Sequence, residues 1–231
     1  MRRIDEIEQL KNELVSTVSH ELKTPLATIK AYAATLRQNP ELYAEKRDEY
    51  LKIVEEQADR LSRLIEDLLL VTRVEAGQLL RRRATVKLDT VLREAIAEIH
   101  FDKERHPVTC ETGSISISGD PDRLRDLFRN LVENAIKYSP NGGAIAVRAR
   151  SDNGGTHIEI TDSGIGIAAE DLPYIFERFF RVESEMTSTV GGSGLGLYIV
   201  SAIVRAHGGT IEAKSEPGHG TTFSIVLPNK T

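Results

Sequence analysis

Apolar residues return at intervals of three, four and seven through the first part of the chain, at Ile7, Leu10, Leu14, Val18, Leu22, Ile29 and Leu36. That spacing is a coiled-coil-like stripe and predicts one helix over residues 4–38. Asn39-Pro40 stops it, because the residue before a proline avoids helical angles. A second stripe, Leu51, Val54, Ala58, Leu61, Ile65 and Leu68, predicts a helix over 45–75, with Gly77 as its C-terminal cap. Two long helices joined by a short connection form an antiparallel hairpin. A lone hairpin cannot bury both stripes, so pairing of two copies into a four-helix bundle is its expected completion.

After Arg83 the period changes. Alternation predicts strands over ATVKLD (84–89), TCETG (109–113) and SISISGD (114–120), and helices over 88–100 and 121–138. Asp120 caps the second of these helices and Pro121 takes its first position. AIAVRARS (144–151) and THIEITD (156–162) read as a hairpin around Asp152-Asn153-Gly154-Gly155. A helix over 195–206 ends at Gly208-Gly209, and strands over 210–215 and 221–228 flank the turn EPGHG. The expected fold therefore has two domains with a boundary near residue 80. Residues 1–80 form an all-α antiparallel hairpin, dimeric as a four-helix bundle. Residues 81–231 form an α+β sandwich with a mostly antiparallel sheet and helices on one face.

Composition narrows the function classes. With 40% hydrophobic and 28% charged residues the chain is an ordinary globular one rather than a disordered one. The formal net charge of −5 does not suit a polyanion, so no nucleic-acid partner is expected. The one dense basic run, Arg81-Arg82-Arg83, reads as a solvated linker. Cys110 is the only cysteine, which precludes an internal disulfide and suits a reducing compartment. No apolar run reaches the length of a membrane span, so no membrane contact is expected within these residues and a cytoplasmic location is. The amphipathic start MRRIDEIEQLKNEL begins in mid-pattern, so the chain is expected to be a piece of a longer protein.

The first candidate for chemistry is His20, in STVSHELKTPLATIK (16–30). With about 100° per residue and His20 at zero, Leu14, Val18, Leu22, Ile29 and Leu36 lie between about 120° and 200°. His20 then points away from the seam, with Glu21 beside it and Thr24 on its own face. Pro25 removes the N–H that would bond the Glu21 carbonyl, so a bend or loosening is expected there. Taken alone, this is a surface histidine on an interrupted helix.

The second half offers a second group of candidates. In RNLVENAIKYS (129–139), Asn130, Asn134 and Lys137 share one helical face with Glu133 at its edge, opposite the apolar Leu124, Phe128, Leu131 and Ala135. Amides, a carboxylate and an ammonium offer oxygen ligands to a hard cation and charge to phosphate. HIEITDSGIGI (157–167) puts Asp162 at a strand end with Gly164 and Gly166 in the following turn. A carboxylate there can accept from an exocyclic amine, and glycines let a flat ring approach the backbone. GGSGLGLYIV (191–200) is a glycine-rich loop opening into a helix, whose amides form an anion site. It has neither the Gly-Lys-Ser/Thr of a Walker A loop nor a G-x-G-x-x-G fingerprint.

These elements, in this order, resemble the catalytic core of bacterial two-component sensor histidine kinases over essentially the whole chain. SHELKTPL matches the phosphoacceptor motif, NLVENAIKYS the asparagine motif, DSGIGI and GGSGLGL the glycine motifs, and FERFFR the phenylalanine motif between them. The resemblance implies a homodimeric hairpin followed by the ATP-binding sandwich shared with gyrase and the Hsp90 chaperones. It assigns Mg²⁺ and the phosphates to Asn130 and Asn134, with Asn134 the direct metal ligand. Lys137 and Tyr138 would contact phosphate or ribose, Asp162 the adenine amine, and Gly164 and Gly166 the floor beneath it. Gly192, Gly194, Leu195 and Gly196 would hold phosphates, and residues 182–191 would form a lid. Phe176, Phe179 and Phe180 are expected to anchor the lid and an interdomain contact, and Arg178 and Arg181 to neutralise transferring phosphate.

The implied reaction is ATP-dependent phosphorylation of His20, with Glu21 orienting the imidazole and taking its proton. The phosphoryl group then passes to an aspartate of a response regulator, and Thr24 matches a position that assists dephosphorylation of that regulator. Two rivals share the fold: a serine-directed kinase or ATPase, and a dimeric scaffold switched by nucleotide.

Overall fold

The computed structural model describes residues 2–39, 41, 44–182 and 192–229. Its contacts divide the chain into two compact units, Met1–Leu69 and Leu70–Thr231.

The first unit holds helix α1 (Arg2–Gln38) and most of helix α2 (Ala44–Glu75). The helical periodicity is thus realised almost to the residue. Helix α1 runs through Pro25 without a break, although that residue has no N–H to give the Glu21 carbonyl. Val18, Leu22, Ile29 and Leu36 are half-buried, in keeping with the stripe, and Tyr32 meets Tyr50 edge to face at 5.0 Å. Leu26, Leu51 and Ile65 keep 48%, 46% and 46% of their surface exposed, so a single hairpin leaves part of its apolar surface uncovered. Asn39 donates its amide to Thr35 O at the end of α1, and most of the connection beyond it lies outside the described residues. After α2, Gly77 adopts φ 66°, the left-handed cap expected of it.

The second unit contains β1 (Ala84–Lys87), α3 (Leu88–Ala97), β2 (Val108–Glu111), β3 (Ser116–Gly119), α4 (Pro121–Lys137), β4 (Ile145–Asp152), β5 (Gly155–Thr161), α5 (Gly196–Ala206), β6 (Thr210–Glu216) and β7 (Gly220–Leu227). Five strands form one sheet in the order β2-β4-β5-β7-β6, antiparallel except for the parallel β2–β4 pair. Strand β3 leaves that sheet and pairs with β1 in a separate antiparallel ribbon. Along β4 and β5, Ile145, Val147, Ile158 and Ile160 are buried while Arg148, Arg150 and Glu159 are exposed. One face is therefore covered, and the helices α4 and α5 that pack on it supply Leu124, Phe128, Leu131, Ile199 and Ile203, all with no exposed surface. Burying side chains of this size contributes roughly 1.5–3 kcal/mol each, which is what fastens α4 and α5 in place behind the site.

Candidate nucleotide site and phosphoacceptor helix

Helix α4 starts where the sequence places it. Asp120 Oδ1 accepts from the amides of Asp122 and Arg123 at 3.1 and 3.3 Å, and Pro121 needs no partner at the first position. With its apolar face committed to the core, the helix turns Asn130, Asn134 and Lys137, all half-buried, to the other side. There they meet the glycine loop. A Cβ added at Gly196 would come within 2.8 Å of Asn130 Oδ1, and one at Gly192 would overlap Lys137 Nζ. Asn130 is oriented by donating Nδ2 to Asp126 O at 2.9 Å. Lys137 Nζ lies 3.3 Å from the Tyr138 hydroxyl, whose titration burial pushes up and the nearby Arg181 pulls down.

Asp162 follows β5 and is almost fully buried. Its Oδ1 accepts from the amides of Gly164 at 2.8 Å and Thr221 at 3.1 Å, while its own amide donates to Thr221 O at 2.9 Å. Both backbone donors go to one oxygen, which leaves Oδ2 for a ligand. Burial pushes the carboxyl above the usual range, and the two N–H donors pull it back. The glycines after Asp162 answer first to the protein itself. A Cβ at Gly164 would overlap Tyr138 O, whose partner is the Ile165 amide at 2.9 Å. Gly166 has φ 72°, and a Cβ there would overlap Glu216 O. The turn is packed too closely against backbone for any side chain.

These elements surround a cavity of about 270 Å³. Its polar lining is Asn134, Tyr138, Asp162, Arg181 and Thr221, and its apolar wall includes Ile165, Ile175, Phe180, Leu197 and Phe223. A carboxylate at one side of an apolar slot suits a flat heteroaromatic ring carrying an amine. Thr221, Ile175 and Phe223 were not legible as site residues. The faint signal was the glycine turn before Thr221, which ends beside Asp162.

The aromatic and basic residues of FERFFR separate. Phe180 lines the cavity, whereas Phe176 stacks edge to face on Phe223 at 6.4 Å. Arg181 lines the cavity and Arg178 does not. The Arg178 guanidinium donates to Glu75 Oε1 at 2.6 Å and to the Tyr198 hydroxyl at 2.9 Å. Gly194 stays close to this segment, since its carbonyl accepts from Phe179 N at 3.0 Å, and Leu195 is fully buried. Of the expected lid only Val182 is described; residues 183–191 lie outside the described residues.

On α1, His20 is exposed. Glu21 is half-buried and accepts from Arg60 of α2 at 3.5 Å, a partner the sequence did not single out. Thr24 Oγ1 donates to His20 O at 3.3 Å.

Comparison with known proteins matches both units to family models. Residues 10–77 match the His Kinase A (phospho-acceptor) domain, and residues 119–231 match the Histidine kinase-, DNA gyrase B-, and HSP90-like ATPase family. The chain belongs to the sensor histidine kinases. It is 36% identical over 229 residues to the phosphate regulon sensor protein PhoR of Pseudomonas aeruginosa, covering 96% of this chain and 51% of that protein. It is 31% identical over 231 residues to the sensor histidine kinase WalK of Bacillus subtilis, covering 98% and 38%. Among solved structures, the histidine kinase AdeS of Acinetobacter baumannii superposes with a TM-score of 0.72 at 25% identity, covering 92% of this chain and 98% of that one. The mycobacterial sensor histidine kinase MprB gives 0.57 at 30% identity, covering 64% and 99%. The chain spans about half the length of the curated relatives it matches first. Its second unit thus carries an ATPase-type domain of that family.

Proposed function

We propose that this chain is the catalytic core of a sensor histidine kinase, which phosphorylates His20 from ATP and passes the phosphoryl group to an aspartate of a response regulator. The observation that carries this reading is the exposed His20, with Glu21 held beside it by Arg60, in one chain with a cavity built around Asp162 and Asn134. Residues 1–80 serve as the dimerisation and phosphotransfer hairpin and residues 81–231 as the ATP-binding domain, with the half-exposed Leu26, Leu51 and Ile65 supporting a homodimer.

Asp162 accepts from the adenine amine through Oδ2, above the turn of Gly164 and Gly166. Asn130, Lys137 and Tyr138 line the path to the phosphates, which the amides of Gly192, Gly194, Leu195 and Gly196 receive. Among the described residues no cluster of His, Cys, Asp or Glu is suited to a metal. The amide oxygens of Asn134 and Asn130 fit a hard cation shared with phosphate, and Mg²⁺ bound there would supply charge neutralisation. Arg181 adds a further positive charge.

For the transfer, a ring nitrogen of neutral His20 donates its lone pair to the γ-phosphorus as the bond to the β–γ bridging oxygen breaks, and ADP leaves with that electron pair. Glu21 orients the ring and takes the proton from the other nitrogen, and Arg60 fixes the carboxylate for that task. Catalysis is chiefly positioning and charge neutralisation. Thr24 assists water in dephosphorylating the regulator. Among the described residues no helix is long and apolar enough to cross a membrane, and the working place proposed for this part is the cytoplasm.

The test is incubation with γ-labelled ATP and Mg²⁺. The label should be acid-labile and base-stable, absent from His20→Ala, and transferable to a receiver domain. Acid-stable label would move the acceptor to a hydroxyl, and label on His20→Ala would move it to another residue; either result would end this reading.

A further inference from the structure

Between Glu75, the last residue of α2, and Ala84, the first of β1, lie the residues Ala76 to Arg83. The basic run at their end has exposed side chains, as a solvated linker would. Its backbone is held nevertheless. Asp120 Oδ2 accepts from Arg81 N at 2.8 Å and Arg82 N at 3.3 Å, while the other oxygen of the same carboxylate caps α4. Burial alone would push this carboxyl up, but the four N–H donors outweigh it and hold it below the usual range. Asp120 is held in turn: its amide donates to His207 Nε2 at 2.9 Å, and His207 Nδ1 donates to Ile203 O at 2.8 Å. Gly119 leaves room for this ring, since a Cβ there would lie 2.8 Å from it. Arg83 adds a bond from its guanidinium to Ala206 O at the end of α5.

We propose that Asp120, locked by His207, is a positioning residue that clamps the segment after α2 onto the ends of the two helices serving the nucleotide, and so sets how the ATP-binding domain is presented for phosphoryl transfer. The inference rests on the kinase reading above. The rest of the connection has little freedom. Gly77 N and Gln78 N bond back to Val74 O and Arg73 O, and Leu79 is buried. A short tether confines the attached domain to few positions, and freeing residues enlarges the volume it searches. Asn134 lies fourteen residues along α4 from Asp120, about 21 Å at 1.5 Å per residue, so the clamp touches no ligand itself.

Asp120→Asn separates the two roles of the carboxylate, because asparagine caps a helix equally well but turns a donor toward Arg81 N and Arg82 N. Arg81→Pro deletes a donor from the other side, and Arg81→Ala, which keeps the N–H, is the control. The 231-residue protein is followed by amide hydrogen exchange, ATP affinity and rate of His20 labelling. In wild type and Arg81→Ala the amides of Arg81 and Arg82 should be protected and the labelling rates equal. In Asp120→Asn and Arg81→Pro the remaining linker amides should exchange freely and labelling should slow at least about tenfold, with ATP affinity within about twofold. Should the asparagine amide turn over and keep the linker protected, Arg81→Pro alone decides.

Fast exchange at Arg81 and Arg82 in wild type, or a freed linker with labelling at the wild-type rate, would overturn the clamp. So would equal loss of ATP affinity and labelling rate, the mark of a merely structural role. Failure of wild type to label His20 would sink the kinase reading instead, and the exchange measurement would still report on the clamp.

Discussion

Phe179 and Gly194 are joined by a hydrogen bond of 3.0 Å from the Phe179 amide to the Gly194 carbonyl, and both have positive φ, 62° and 69°. Among the described residues Phe179 is the only one other than glycine in that region. The pair stands on either side of the 183–191 segment and brings the start of the glycine loop back to the residue after Arg178. A Cβ at Gly194 would lie 2.6 Å from the Phe179 backbone, so the contact admits glycine alone.

Gly194→Ala should therefore cost at least the roughly 1–2 kcal/mol of a left-handed alanine, with the overlap added. Thermal unfolding should fall by several degrees and ATP affinity by about tenfold or more, because the loop amides shift. Calorimetric titration of ATP on the folded variant checks this, and unchanged affinity would show that the loop tolerates another path.

Asp162→Asn keeps an oxygen for the amides of Gly164 and Thr221 while removing a buried charge. Binding of ATP should weaken by about tenfold or more, since an amide nitrogen in place of Oδ2 opposes the adenine amine. Stability should move the other way. Burial raises the Asp162 pKa, so in the window just above the ordinary carboxylate range the fold binds more protons than the unfolded chain. The wild-type contribution of this group then falls as pH rises through that window. Denaturant unfolding at pH 4 and at pH 7 should show Asp162→Asn gaining on wild type at the higher pH.

His207 should make stability fall on the acid side. Burial first, and then the Arg83 guanidinium, push its pKa down, against the Ile203 carbonyl and the Asp120 charge. The unfolded chain thus takes up protons first, from about pH 6.5 downward. The contribution of the neutral ring is complete above that pH and is lost as pH falls toward the lower folded value. Wild-type unfolding free energy should decline more steeply between pH 7 and 5 than that of His207→Gln, and parallel curves would refute it.

Thr24→Ala removes a hydroxyl that donates to His20 O. If Thr24 helps water attack the phosphorylated regulator, dephosphorylation should slow by about a hundredfold, the usual scale for losing one positioned proton-transfer group. Labelling of His20 should stay within about threefold. Paired measurements on one preparation separate the two rates, and full dephosphorylation by the variant would dismiss the role.

How much of this was readable in advance depends on how local each feature is. The helices α1, α2, α4 and α5, the hairpin of β4 and β5 and the cap at Asp120 follow from spacing and punctuation along the chain, and the structure reproduces them within a few residues. The polar face of α4 was legible for the same reason. Its meeting with Gly192 and Gly196 was not, because Lys137 and Gly192 are 55 residues apart and Asn130 and Gly196 are 66 apart. Arg178 and Arg181 look alike in FERFFR, and only packing sends one to Glu75 and Tyr198 and the other to the cavity.

By itself, the order of residues determined that a long helical hairpin with an outward histidine precedes an α+β domain carrying an asparagine helix, a buried-strand aspartate and a glycine loop. Periodicity of 3.6 and of 2 is written in the side chains, and glycine and proline mark where each pattern must stop. The tertiary structure decided that β2 runs parallel to β4, that β3 leaves the sheet for β1, that Asp162 spends one oxygen on two amides, and that Asp120 holds the linker. These are pairings made by backbone N–H and C=O groups between distant segments. Every residue but proline carries the same pair of groups, so the sequence cannot say which will meet until packing brings them together.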